Sequence, residues 1–193
     1  MDVRTILRVR HNPHFNRDTL PLSLKRAGIA YIHMAGLGGL RHARPDSSNI
    51  GWHNPSFRGF ADYMQTVESE GALGRVAKLA MRKPAALKCA EAVPSRCHRS
   101  LIADALIVRA LGVAHITNLT RTRPYSLTPF PKVRRTRITY PQDERFLLDD
   151  KSPGFSSVTP PRAKNRRGAV DEKRWKLPDP PTRPRRAKST TRQ

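Results

Sequence analysis

Between Pro84 and Leu111 the chain changes from the periodicity of a strand to that of a helix across a short loop, and this juncture restricts the folds open to it. Pro84-Ala-Ala-Leu-Lys-Cys-Ala90 is short, mostly apolar and bounded by proline. Leu101, Ile102, Ala105, Leu106, Val108 and Leu111 then recur at mixed three- and four-residue spacings. The pattern predicts strand, tight loop and amphipathic helix. Pro94 and Ser95 suit a helix start, with Ser95 as N-cap and Arg96, Cys97 and His98 in the first turn. Unpaired backbone N–H groups at such an end favour a thiolate over a thiol, so Cys97 is expected to be a more acidic cysteine than average.

Similar alternation extends to both sides. Val3, Thr5, Ile6 and Val9 predict a strand at the start. Asn16 or Asp18 caps a short helix through Leu20, Leu22, Leu24 and Ala27, which Gly28 ends. Ile29–Met34 reads as a buried strand, followed by a turn at Gly36, Gly38 and Gly39 and a polar loop to about Pro55. Phe57–Met64 and Val67–Met81 read as helices, Val113–Ile116 as a strand and Ile138–Tyr140 as an edge strand. Strands and helices in alternation predict an α/β fold with right-handed crossovers and a mostly parallel sheet with flanking helices, spanning residues 1–146. Residues 147–193 carry proline at positions 153, 160, 161, 178, 180, 181 and 184 among Arg, Lys and Ser, a composition that cannot bury a core. They are expected to form a disordered basic tail.

Lys and Arg number 37 against 15 acidic residues, for a net charge of +22. Residues 147–193 hold 13 basic and 5 acidic side chains and residues 1–146 hold 24 and 10, so the body is basic as well as the tail. Such a field draws in nucleic acid, an anionic small molecule or a phosphorylated ligand, although a solvated basic surface would carry the same composition. No helix-turn-helix, zinc-finger or RNA-recognition signature is present, so any nucleic-acid binding is expected to be non-specific and electrostatic, strongest at 162–167 and 183–188. Two cysteines make no disulfide framework, and no charged-then-apolar leader opens the chain, which predicts a cytoplasmic, reducing setting. No window reaches the roughly 18–20 apolar residues that span a bilayer, so no membrane partner is expected.

The chemistry-bearing residues concentrate in Cys89–Arg99. Cys97 as thiolate, stabilised by Arg96, Arg99 and the helix dipole, with His98 or His11 as proton carrier, makes a candidate nucleophile. Cys89 is either a second site residue or a small buried apolar one. Six residues separate Cys89 from Arg96, one more than the five between cysteine and arginine in tyrosine phosphatases, which argues against that loop. A metal would draw on Cys89, Cys97, His98 and Glu91 or His11, but paired C-x2-C spacing is absent, and neither metal nor other cofactor is expected. A Cys89–Cys97 redox pair is sterically possible across the loop but lacks a C-x-x-C motif. Glu91 is a candidate general base, or a structural partner of Arg96 or Arg99. His11 and Asn12 precede Pro13 in a turn. Gly38 and Gly39 without a longer glycine motif are weak evidence of phosphate binding.

Asp2-Val3-Arg4, Asn12-Pro13-His14-Phe15, Leu37-Gly38-Gly39, Phe57–Met64 and Cys89–Leu106 follow one another in the order of a known set of motifs. With them the block from Asp2 to about Tyr140 resembles the domain of unknown function 488 family. The resemblance implies an α/β domain with a parallel sheet and no settled biochemical activity. It also implies that Asp2 and Arg4 lie on a strand beside Glu91, where they would reach the same crevice. Arg99, Arg96, Asp2, Arg4, His11 and Asn12 are the candidate substrate-binding residues. Family members open with a further strand and helix, so the chain is expected to be a truncated member lacking one β-α unit. The reading that emerges is an enzyme acting on an anionic substrate through Cys97, Cys89, Glu91 and His98. A non-enzymatic nucleic-acid-associated protein and a non-functional remnant stand as alternatives.

Overall fold

The computed structural model describes residues 1–142; the tail expected at 147–193 lies outside the described residues. Four helices supply most of the regular structure: α1 (Leu20–Arg26), α2 (Pro55–Tyr63), α3 (Val67–Arg82) and α4 (Arg99–Val108). Each begins or ends for a local reason. Gly28, at φ +71°, takes the left-handed backbone that closes α1. Asn54 Oδ1 accepts from the N–H groups of Ser56 at 2.9 Å and Phe57 at 3.4 Å, and Pro55 occupies the first turn of α2. Thr66 caps α3 through the Ser69 N–H, with Glu68 and Glu70 in the first turn and Arg82 in the last, the arrangement the helix dipole favours.

The expected α/β fold with a parallel sheet and flanking helices is not present among the described residues. The described strands form two small antiparallel sheets, β1 (Ala114–Ile116) with β2 (Thr122–Pro124) and β3 (Lys132–Arg134) with β4 (Arg137–Thr139). Where three parallel strands were expected, single bridges join Asp2 to His33 and Asp2 to Lys88. Asp2 N–H donates to Ile32 O and Met34 N–H to Asp2 O, both at 2.8 Å. Val3 N–H donates to Lys88 O and Lys88 N–H to Met1 O, both at 2.9 Å. A ladder needs several successive extended residues on each strand. Here the backbone bends at Thr5, enters a 3-10 turn at Ala35–Leu37 directly after Met34, and bends again at Ala90. Pairing therefore stops after one residue. Ile29, expected in a buried strand, is 54 % exposed. Apolar runs bounded by Gly and Pro carry no information about ladder length, so they suit an isolated bridge as well as a full strand.

The start of α4 also differs. Pro94–Arg96 forms a separate 3-10 turn, and α4 begins at Arg99 with His98 in the capping position, so Cys97 lies in the link between the two. Nor is α4 amphipathic: Ser100 to Leu106 are all buried. Helix α4 is the centre of the core, where Leu101, Ile102, Ala105 and Leu106 pack with Val3, Met34, Leu37, Phe57, Phe60, Leu73, Val76, Ile138 and Tyr140. The carboxylate of Asp104 on this helix is fully buried yet satisfied. Tyr140 OH donates to it at 2.8 Å, Tyr125 OH at 3.0 Å and the Thr128 N–H at 2.9 Å. A second buried carboxylate, Asp62, accepts from Ser47 Oγ, Asn49 Nδ2 and Arg44 N–H, and so anchors the polar loop ahead of α2. Among the described residues no helix is long and apolar enough to cross a membrane.

Candidate functional site

The loop between Lys88 and α4 brings Cys89 Sγ, Cys97 Sγ and one ring nitrogen of His98 within 4.8 Å of one another. Two turns do this. The bridge from Asp2 fixes Lys88 and aims the next residue at the core edge, while the Pro94–Arg96 turn, closed by Cys97 N–H to Pro94 O at 3.1 Å, folds the chain back. Cys89 is half-buried and Cys97 is 2 % exposed.

The imidazole is held from three sides. Its Nε2 lies 3.0 Å from the carbonyl oxygen of Leu37. A carbonyl only accepts, so Nε2 carries the proton and the Nδ1 lone pair of the neutral ring is left for the thiols. Nδ1 is 3.9 Å from Cys97 Sγ. The ring also packs on Phe60, with centroids 4.8 Å apart. On its other side lies Gly39, where any Cβ would overlap the ring. The glycine pair after Leu37 thus serves the site by admitting an aromatic ring.

Arg99 supplies the positive charge. Its Nε donates to Cys97 Sγ at 3.2 Å, and its Nη2 donates to the backbone carbonyl of Glu91. The two thiols behave as one titrating pair. The neighbouring Cys97 leads the effects holding the Cys89 thiol well below the ordinary range; burial opposes it, and the Glu91 N–H reinforces it. Cys97 is pushed up by its hydrogen bond to Cys89 and by burial. One proton leaves the pair readily and the other stays. The pair shares that charge, and Cys89 is its more exposed member.

Asp2 and Arg4 form a buried ion pair on the far side of Lys88. Arg4 Nη2 donates to Asp2 Oδ2 at 2.6 Å and Nε to Oδ1 at 2.9 Å, while Tyr31 OH donates to Oδ2 at 3.0 Å. Burial opposes the Asp2 carboxylate, but the hydrogen bonds from Arg4 outweigh it and hold the carboxyl below its usual range. Arg4 Nη2 also donates to Phe15 O at 2.8 Å, and the Lys88 ammonium lies 4.8 Å from the centre of the Phe15 ring. Among the described residues Arg4 Nη1 is buried without a partner. Burial, and then the charge on Arg4, lower the Lys88 pKa.

Of the residues named from the sequence, Cys89, Cys97, His98 and Arg99 meet at one point. Asp2 and Arg4 are engaged with each other. The Glu91 side chain is exposed, its Oε1 accepting the Val93 N–H at 3.2 Å, and only its backbone carbonyl reaches Arg99. Arg96, His11 and Asn12 are exposed, with Asn12 O closing the turn to Phe15. Leu37, Gly39, Phe60 and Lys88 were not expected as parts of this site; only the Leu-Gly-Gly motif hinted at them. The three donors suit a soft metal by chemical type, but among the described residues no fourth Cys, His, Asp or Glu joins them to close a structural zinc site.

Residues 1–106 match the family model described as Domain of unknown function DUF488. The chain belongs to the DUF488 family. The matched segment contains the whole cluster of this DUF488 domain and ends within α4, leaving the two β-hairpins outside it. No curated protein matches the chain, and no solved structure does.

Proposed function

We propose that this DUF488 protein is a cysteine-dependent enzyme acting on an anionic substrate, with the thiolate at Cys89 as its reacting group. The observation that supports this most is the convergence of two thiols, an acceptor imidazole nitrogen and a guanidinium within one cluster. Each has a distinct role. Cys89 attacks from the half-buried position, Cys97 keeps the proton that leaves Cys89 charged, His98 Nδ1 takes or returns a proton, and Arg99 balances the negative charge. Lys88 and the basic body steer the anion in.

The test is the pH dependence of iodoacetamide labelling in the full chain, compared with Cys89→Ala and Cys97→Ser. Rapid labelling confined to Cys89 at about pH 6, below the ordinary thiol pKa of about 8.5, is expected, lost in Cys89→Ala and kept in Cys97→Ser. Equal, slow labelling of both cysteines in folded protein would sink the reading.

A second reading rests on the hairpins. Arg121, Arg123, Lys132, Arg134, Arg135 and Arg137 are all exposed on or beside β1–β4, a surface suited to nucleic-acid phosphates. Replacing all six by Gln should weaken any nucleic-acid binding and flatten its salt dependence; unchanged binding would remove this reading.

A further inference from the structure

We propose that Cys89 and Cys97 form a dithiol–disulfide couple that exchanges two electrons with small anionic disulfides, Cys89 attacking and Cys97 resolving. This rests on the thiol reading above and assigns it a substrate class. The sulfurs already lie within 4.8 Å, against about 2.05 Å in a disulfide. The segment that must move is Ala90–Val93, which is exposed and outside any helix or strand, whereas Cys97 is buried against α4 and stays in place. The asymmetry of exposure sets the order: only Cys89 can be reached by a substrate.

The Cys89 thiolate attacks one sulfur of the substrate R–S–S–R, the S–S bond breaks, and R–S⁻ leaves and is protonated by solvent. The Cys97 thiol gives its proton to His98 Nδ1, 3.9 Å away, and its sulfur attacks Cys89 Sγ. The second R–S⁻ departs, taking the proton from His98. The substrate is reduced by two electrons and the protein carries a Cys89–Cys97 disulfide, which a dithiol reductant reopens. Arg99, on the sulfur of Cys97, favours substrates with carboxylate groups near sulfur and opposes cationic ones.

Reduced full-length protein is mixed with oxidised glutathione, a carboxylate-rich disulfide, or with cationic cystamine, and followed by mass spectrometry after alkylation. A loss of two hydrogens with both thiols protected is expected, at least 10-fold faster with glutathione disulfide. Cys97→Ser should trap a stable glutathione adduct on Cys89, and Cys89→Ala should react slowly at Cys97. A Cys97→Ser protein that releases its adduct as fast as the wild type overturns the proposal, as does equal reactivity with cystamine or a stoichiometric zinc held by both thiols. If Cys89 alkylates rapidly at low pH yet no internal disulfide forms, the thiol enzyme reading survives and this inference does not. Thermal unfolding of each variant confirms that the chain is folded during the assay.

Discussion

His98 donates from Nε2 to the carbonyl oxygen of Leu37, 61 positions earlier in the chain, at 3.0 Å. That bond sets the tautomer of the ring and thereby which nitrogen faces the cysteines. The hydrogen bond from the Leu37 loop is therefore as much a part of the site as the thiols are.

Gly39→Ala places a Cβ inside the space of the His98 ring and must displace it. We expect a cost of about 1–3 kcal/mol in stability and a fall in Cys89 alkylation rate of about 10-fold. Gly74→Ala is the control: it sits within α3 with open space around it, and should stabilise by about 0.5–1 kcal/mol with no change in labelling. Urea unfolding and labelling rates, measured together, separate the two. Equal labelling in both variants would show that the ring position does not matter.

Stability should fall in acid through Asp2. Its carboxyl is held below the ordinary aspartate value of about 3.9, so its contribution is fully present above that value and is lost as pH falls through the folded-state pKa. Asp2→Asn should remove this component of the acid dependence and cost about 3–5 kcal/mol at neutral pH, because Arg4 is left buried without its counter-ion. Denaturant midpoints between about pH 7 and pH 3 test this; an unchanged acid profile in the variant would assign the dependence to other groups.

At the alkaline end, the two phenols on Asp104 govern. Burial and the neighbouring carboxylate push both Tyr125 and Tyr140 far above the usual tyrosine value. A raised folded-state pKa means stability that is intact below the unfolded value of about 10 and declines as pH rises past it. Spectrophotometric titration should show Tyr125 and Tyr140 ionising only as the protein unfolds. Tyr140→Phe should destabilise by about 1–3 kcal/mol, since it leaves a buried carboxylate one donor short. Normal titration of all four phenols in folded protein would contradict the buried network.

Replacing the alkylation probe's main target also has a defined effect on its neighbour. In Cys89→Ser the Cys97 thiol loses the thiolate that holds its proton, while Arg99 Nε remains on its sulfur. Its apparent pKa should drop, although burial at 2 % exposure keeps labelling slow. Titration by ultraviolet absorbance of the thiolate, which does not depend on reagent access, is the suitable measurement. An unmoved Cys97 pKa would mean that the sulfurs do not interact.

Helices α1 to α3 were legible along the chain because their causes are local: Gly28 at the end of α1, Pro55 at the start of α2 and the alternation of apolar and polar positions along α3. The family motifs were legible for the same reason. The sheet was not, because Val3, Ile32 and Leu87 show strand-like character whether a ladder runs for one residue or six, and only the bends at Thr5 and Ala90 decide its length. Residue type and spacing drew attention to Cys89–Arg99, yet spacing alone could not place Leu37, Gly39 and Phe60 around His98, since these contacts span 38 to 61 positions and arise from packing α4 into the core. Local propensity is encoded residue by residue. Which sulfur is exposed, which nitrogen is protonated and which charges are buried depend on contacts between distant segments, and those exist only in the folded chain.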